Sequence, residues 1–153
     1  MSNKISQLGT TFELLPEVLD GFEKDLELVP NIVAIEGKLL ERANVEQAAQ
    51  QLYYDTKRRE LRTILKYVEL RKDKVYGQLF KAYTETHSRE LSDRGKEKYI
   101  NNEQEYLTIQ EIYLEVEELY EKYDAVIEAF KMRGYALNNI TKIRVSSLEN
   151  TQL

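Results

Sequence analysis

"NNEQEYLTIQEIYLEVEELYEKYDAVIEAFKMRG", residues 101–134, holds the most regular hydrophobic pattern in the chain. Ile109, Ile112, Val116, Leu119, Tyr123, Val126 and Phe130 recur at alternating steps of three and four residues. That is the a/d spacing of a heptad helix. Tyr106, Tyr113, Tyr120 and Ile127 form a second row seven residues apart. A stripe this wide exceeds what a two-stranded zipper needs and suits packing against two neighbours, as in a bundle or a ring of subunits. A contiguous apolar face of that size is rare on a soluble monomer, so the seven heptad residues read as an oligomer interface.

The ends of this helix carry their own signals. Asn102, with Glu105 three residues later, reads as an N-cap and its reciprocal partner. Gly134 reads as a left-handed C-cap, with Lys131 and Arg133 in the last turn at the negative end of the helix dipole. "ALNNITKIRVSSL", residues 136–148, then reads as a short amphipathic C-terminal helix through Leu137, Ile140, Ile143 and Leu148.

Upstream, residues 32–83 contain no proline and only Gly37 and Gly77. Val45, Ala48, Leu52, Leu61, Leu65, Val68, Val75, Leu79 and Ala82 keep helical spacing, which predicts one long helix with a possible interruption near Gly37. Lys72 falls on its stripe. "TETHSRELSDRGK", residues 84–96, is polar and reads as the hairpin between the two long helices. Residues 1–31 form an acidic arm. Residues 1–10 read as disordered, and "TFELLPEVLDGFEKDLELVPN", residues 11–31, reads as one or two helical turns, or as an arm that docks on something else, with Phe12, Leu15, Leu19, Phe22 and Leu26 recurring at three or four residues. The fold expectation is therefore all-α: long helices in a hairpin or bundle, a short C-terminal helix, and assembly as an oligomer, with residues 32–153 as the helical, oligomerising domain.

Composition narrows the function classes. The 153 residues are 42 % hydrophobic and 32 % charged, with two prolines and no cysteine. Without cysteine there are no disulfides, thiolate zinc sites or cysteine nucleophiles, and a reducing compartment suits the chain. The N-terminus lacks the apolar core of a signal peptide, and no stretch approaches the ~18 apolar residues that span a membrane. A cytoplasmic protein without membrane contact is expected. One histidine, His87, lies in the polar linker. Glu111, Glu115 and Glu118 share a helix face, but the Glu-x-x-His motifs of di-iron bundles do not accompany them. "DRGKEK", residues 93–98, lacks the glycine spacing and the Ser/Thr of a phosphate-binding loop. The chain reads as a non-enzyme that needs neither metal nor cofactor.

The charge lies in blocks. Residues 57–98 carry thirteen bases against seven acids, whereas residues 99–128 carry nine acids and one base. "KRRELRTILKYVELRKDK", residues 57–74, concentrates Lys57, Arg58, Arg59, Arg62, Lys66, Arg71, Lys72 and Lys74, with Tyr67, Tyr76, Phe80 and Tyr83 interleaved or just downstream. Cations that follow phosphates, together with aromatics on which bases stack, are what single-strand binding uses.

At the C-terminus, "AFKMRGYALNNITKIR", residues 129–144, resembles the ending of the UvsY-like recombination mediators of tailed phages. There a heptad-rich helix ends in Arg-Gly-aromatic, and Arg133, Gly134, Tyr135, Ala136, Leu137, Ile140 and Arg144 match that order. "LLERANVEQAAQQLYYDTKR", residues 39–58, is similar to that family's first long helix, and "RKDKVYGQLFKAYTE", residues 71–85, to its basic stretch before the hairpin. The chain departs where the family usually has paired tyrosines and glycine; here Tyr83 is followed by Thr84. The resemblance implies a phage protein acting in the host cytoplasm as a ring-like homo-oligomer. It would bind single-stranded DNA and help a RecA-like recombinase replace single-strand-binding protein. It implies DNA contacts at Arg71, Lys72, Lys74, Lys81 and Tyr83, and a tail in which Tyr135 and Ile140 contact a neighbouring subunit. The alternative is a structural or assembly coiled-coil protein without DNA binding.

Overall fold

The computed structural model describes residues 12–86 and 91–150. A 3₁₀ turn at Phe12–Leu14 leads into α1 (Leu15–Glu27), α2 (Val29–Val33), α3 (Leu40–Thr86), α4 (Asp93–Ile100) and α5 (Gln104–Asn150). Every regular element among the described residues is helical, and no helix there is long and apolar enough to cross a membrane. Residues 1–10, expected to be disordered, and His87 lie outside the described residues.

The chain divides into two compact units, and each long helix contributes a segment to each. The first comprises residues 1–16 and 60–119. In it Leu61, Ile64, Val68 and Val75 of α3, Ile100 of α4, and Ile109, Val116 and Leu119 of α5 are buried. The ring of Tyr76 meets Tyr106 at 5.7 Å, and Lys72 Nζ sits 4.1 Å from the centroid of Tyr113. Lys72 is tolerated on the apolar stripe because its ammonium rests on an aromatic face. In the linker, Ser92 Oγ accepts from Gly95 N at 3.3 Å and caps α4.

The second unit comprises residues 17–59 and 120–153. Its centre is aromatic: Tyr54 stacks on Phe130 at 5.4 Å, and Phe22 meets Tyr123 edge-on at 5.7 Å. Buried hydroxyls need acceptors. Tyr123 donates to Phe22 O at 3.0 Å and Tyr54 to Asp25 O at 3.1 Å, which ties the last turns of α1 to both long helices. Leu19 and Phe22 are buried, so the acidic arm is a docked helix of 13 residues rather than one or two turns. Between α2 and α3, Gly37 has φ +75°, the left-handed turn that interrupts the helical pattern there. Lys38 Nζ caps the end of α2, donating to Asn31 O at 2.8 Å and Ile32 O at 3.0 Å.

Three expectations are corrected. Gly134 is not a C-cap, and there is no separate C-terminal helix: α5 runs unbroken to Asn150. Among the described residues Gly37 is the glycine with positive φ, whereas Gly134 is in the helix interior, where glycine costs about 1 kcal/mol relative to alanine. Its reason is space. A Cβ there would meet Gln47 Nε2 at 3.3 Å, and that amide donates to Phe130 O at 2.6 Å. Arg133 is not a solvated cation at a helix end but is 4 % exposed. It donates from Nε to Val33 O and from Nη1 to Ala43 O, both at 3.2 Å, and from Nη1 to Gln47 Oε1. Asn102 does not cap α5 either; its amide donates to Lys98 O at 2.7 Å and closes α4.

The heptad stripe is buried as the spacing predicts, but inside one chain. Ile109, Val116 and Leu119 are buried in the first unit, with Ile112 half-buried, and Tyr123, Val126 and Phe130 are buried in the second. Their dryness therefore does not require another copy. Of the tail residues, Ile140 is half-buried and Tyr135 is 68 % exposed.

Candidate nucleic-acid interface

The cations of α3 separate into two groups by what surrounds them. In the second unit, Lys57 Nζ is 3.3 Å from Asp25 Oδ2 and lies 5.2 Å from the ring centroid of Phe22. Arg58 donates from Nη1 to Asp124 at 2.8 Å and from Nη2 to Asp55 at 2.7 Å. The hydrogen bond that Arg58 donates to Asp124 leads the causes that hold its guanidinium further in the charged form. Arg59 donates to Asp55 at 2.9 Å. Lys57 and Arg58 thus hold α1 and α5 against α3, with their charges matched by carboxylates. A phosphate contact at Lys57 or Arg58 would first break a partly buried ion pair, whereas the Arg59 side chain stays largely exposed.

In the first unit, Arg62, Lys66, Arg71 and Lys74 are exposed and carry no ion pair among the described residues. Lys81 is exposed as well and lies 3.7 Å from an equally solvated Glu85, a pairing worth little in water. Arg62, Lys66, Leu70, Lys74, Gly77 and Lys81 follow one another at steps of four, four, four, three and four. At 3.6 residues per turn these steps keep to a single stripe, and all six residues are exposed. The buried residues Leu61, Ile64, Val68 and Val75 occupy the opposite side of α3. The stripe carries four cations, and one exposed acid, Asp73, lies on the same face four residues before Gly77.

The other predicted contacts fall away from this stripe. Arg71 borders a shallow groove of about 360 Å³ with Val75, Glu105, Thr108, Ile109 and Ile112. Lys72 is occupied by Tyr113. Tyr83 is not an open stacking platform: its hydroxyl donates to Glu103, and its ring lies parallel to Tyr99 at 5.7 Å. The hydrogen bond to Glu103 is the main cause that raises the Tyr83 hydroxyl above its ordinary pKa. Of the four aromatics read as interleaved, Tyr67 alone is classed as exposed, at 38 %. Tyr76 and Phe80 are half-buried and stack on each other at 6.4 Å, and Lys96 Nζ lies 4.9 Å from Phe80. Leu70 and Gly77 were missed by counting charges. The signal was present in the three-four spacing that joins them to the lysines.

Glu111, Glu115 and Glu118 are exposed on α5, and no group of three His, Cys, Asp or Glu side chains among the described residues is arranged to hold a metal ion. Comparison with protein families, with curated proteins and with solved structures found no match to this chain.

Proposed function

We propose that this chain binds single-stranded DNA along the outward stripe of α3 and acts as a recombination mediator, helping a RecA-like recombinase to replace single-strand-binding protein. The observation that carries the DNA-binding part is the run of Arg62, Lys66, Lys74 and Lys81, four cations that outnumber Asp73 on one exposed face of a protein whose net charge is −5. An acidic protein meets a polyanion through a local cationic surface, and here that surface is not consumed by internal pairing. The mediator role and its partners rest on the resemblance of residues 39–58, 71–85 and 129–144 to the UvsY-like family.

A ring-like homo-oligomer belongs to the same proposal. Its support is in the second unit, where Leu39, Val45, Leu52, Met132, Tyr135 and Ile143 are all more than half exposed. Those apolar side chains equally favour a second reading, an assembly protein that does not bind DNA. Fluorescence titration with oligo(dT) at two salt concentrations separates the two. Binding that weakens steeply with salt is expected. A wild-type protein that shows no binding at low salt would leave the assembly reading alone.

A further inference from the structure

Gly77 is an interior glycine of a 47-residue helix. It has no positive φ, and a Cβ built there would meet nothing within 4 Å. Glycine in such a place weakens a helix relative to alanine, and packing within the chain gives no return for it. Gly134 is a useful contrast, since Gln47 passes where its Cβ would be. Gly77 lies between Lys74 and Lys81 on the exposed stripe, two steps beyond Leu70, which is 65 % exposed. Gly21 of α1 is equally open, but Glu17, Asp20 and Glu23 surround it in sequence and repel an anion, whereas Gly77 has the single acid Asp73 against Lys74 and Lys81.

The geometry points to Gly77 as a notch where the sugar–phosphate backbone of a single strand comes closest to α3, with a lysine on either side of it; this rests on the DNA-binding reading above. Lys74 and Lys81 are separated by about 10 Å along the helix axis at 1.5 Å per residue. Their long side chains can lean inward and reach successive phosphates while a ribose or deoxyribose lies on the bare helix surface between them. Any side chain at 77 would stand in that gap. Leu70 offers an apolar surface for a base or sugar at the next position along the stripe, where the spacing to Lys74 repeats. A sequence-independent ligand is implied, because the glycine itself has no side chain with which to read a base and the lysines beside it suit phosphates.

The test uses Gly77→Ala and Gly77→Gln in the full chain, with Gly21→Ala as a control at an equally open glycine. All three should fold, and both alanine variants should melt at a higher temperature than wild type, because alanine favours the helix and nothing is displaced. Titrated with oligo(dT), Gly77→Gln is expected to lose about tenfold in affinity and Gly77→Ala about threefold. The salt slope should stay that of wild type, since no cation is removed. Gly21→Ala should bind as wild type does. If Gly77→Gln binds normally while Lys74→Ala with Lys81→Ala weakens binding, the notch is overturned and the DNA-binding reading stands. If wild type itself does not bind at low salt, both fail.

Discussion

Arg133 is a buried guanidinium whose recorded partners are two carbonyls and an amide oxygen, not a carboxylate. Gln47 is the hinge of that arrangement, since its oxygen accepts from Arg133 and its nitrogen donates to Phe130 O. Removing an acceptor from a buried charge costs more than the hydrogen bond itself is worth. Gln47→Ala is therefore expected to destabilise the fold by about 2 kcal/mol, as measured by urea denaturation. Gly134→Ala in the wild-type background should be close to neutral, because helix propensity is gained while Gln47 must shift. In the Gln47→Ala background the same substitution should stabilise by about 1 kcal/mol. Equal effects in both backgrounds would disprove the steric account of Gly134. Four tyrosines offer a second check at this scale. Tyr83 and Tyr113 are raised above the ordinary tyrosine pKa chiefly by hydrogen bonds to Glu103 and Glu117, and Tyr54 and Tyr76 chiefly by burial. A pKa raised by folding gives stability that is full below the unfolded value of about 10 and is lost as pH climbs through the folded value. Alkaline titration followed by phenolate absorbance should show a late-ionising set, with stability falling over the same range.

Among the elements, the two long helices were legible and their ends were not. The three-four spacing from Ile109 to Phe130 marks a buried stripe because side chains that far apart share a face of any α-helix. The same spacing does not say whether the covering surface belongs to the same chain or to another, so the stripe by itself does not define an interface between subunits. Gly134 misled because Arg-Gly-aromatic after a long helix has the local chemistry of a C-cap, and the compensating contact from Gln47 lies 87 positions away in the sequence. Asn102 misled similarly, since a side chain that can cap the next helix can also close the preceding one. The continuity of α5 is testable with proline. Ala136→Pro removes one interior hydrogen bond and should cost about 3 kcal/mol or more, read from denaturant unfolding. Proline just beyond a true C-cap would be tolerated, so an unchanged stability would show that the helix stops at Gly134.

Across the whole molecule, total charge was a poor guide to the candidate site, and the positions of the carboxylates were a better one. Eight cations crowd residues 57–74, but the acids that neutralise three of them come from α1, α3 and α5, at Asp25, Asp55 and Asp124. Reading the sequence locally could find Asp55, which is three residues from Arg58; it could not find Asp25 or Asp124. The two sets of cations should accordingly separate in experiment. Lys57→Ala with Arg58→Ala removes the bridges that hold α1 and α5 to α3 and leaves Asp25, Asp55 and Asp124 without these partners. It should cost about 2–3 kcal/mol of stability while changing oligo(dT) affinity little at temperatures where the chain stays folded. The triple change Arg62→Ala, Lys66→Ala and Lys74→Ala removes exposed charges that stabilise nothing within the chain, so its unfolding free energy should stay within about 0.5 kcal/mol of wild type. Its binding to oligo(dT) should weaken, and the slope of log affinity against log salt should flatten by about 2, since roughly 0.7 of a counterion is released per phosphate contact on a single strand. Calorimetry and salt-dependent titration on the same two variants give four measurements with opposite expected patterns. If the first variant loses DNA binding with its fold intact, the ion-paired cluster is the contact surface after all, and the stripe on α3 is a solvated helix face.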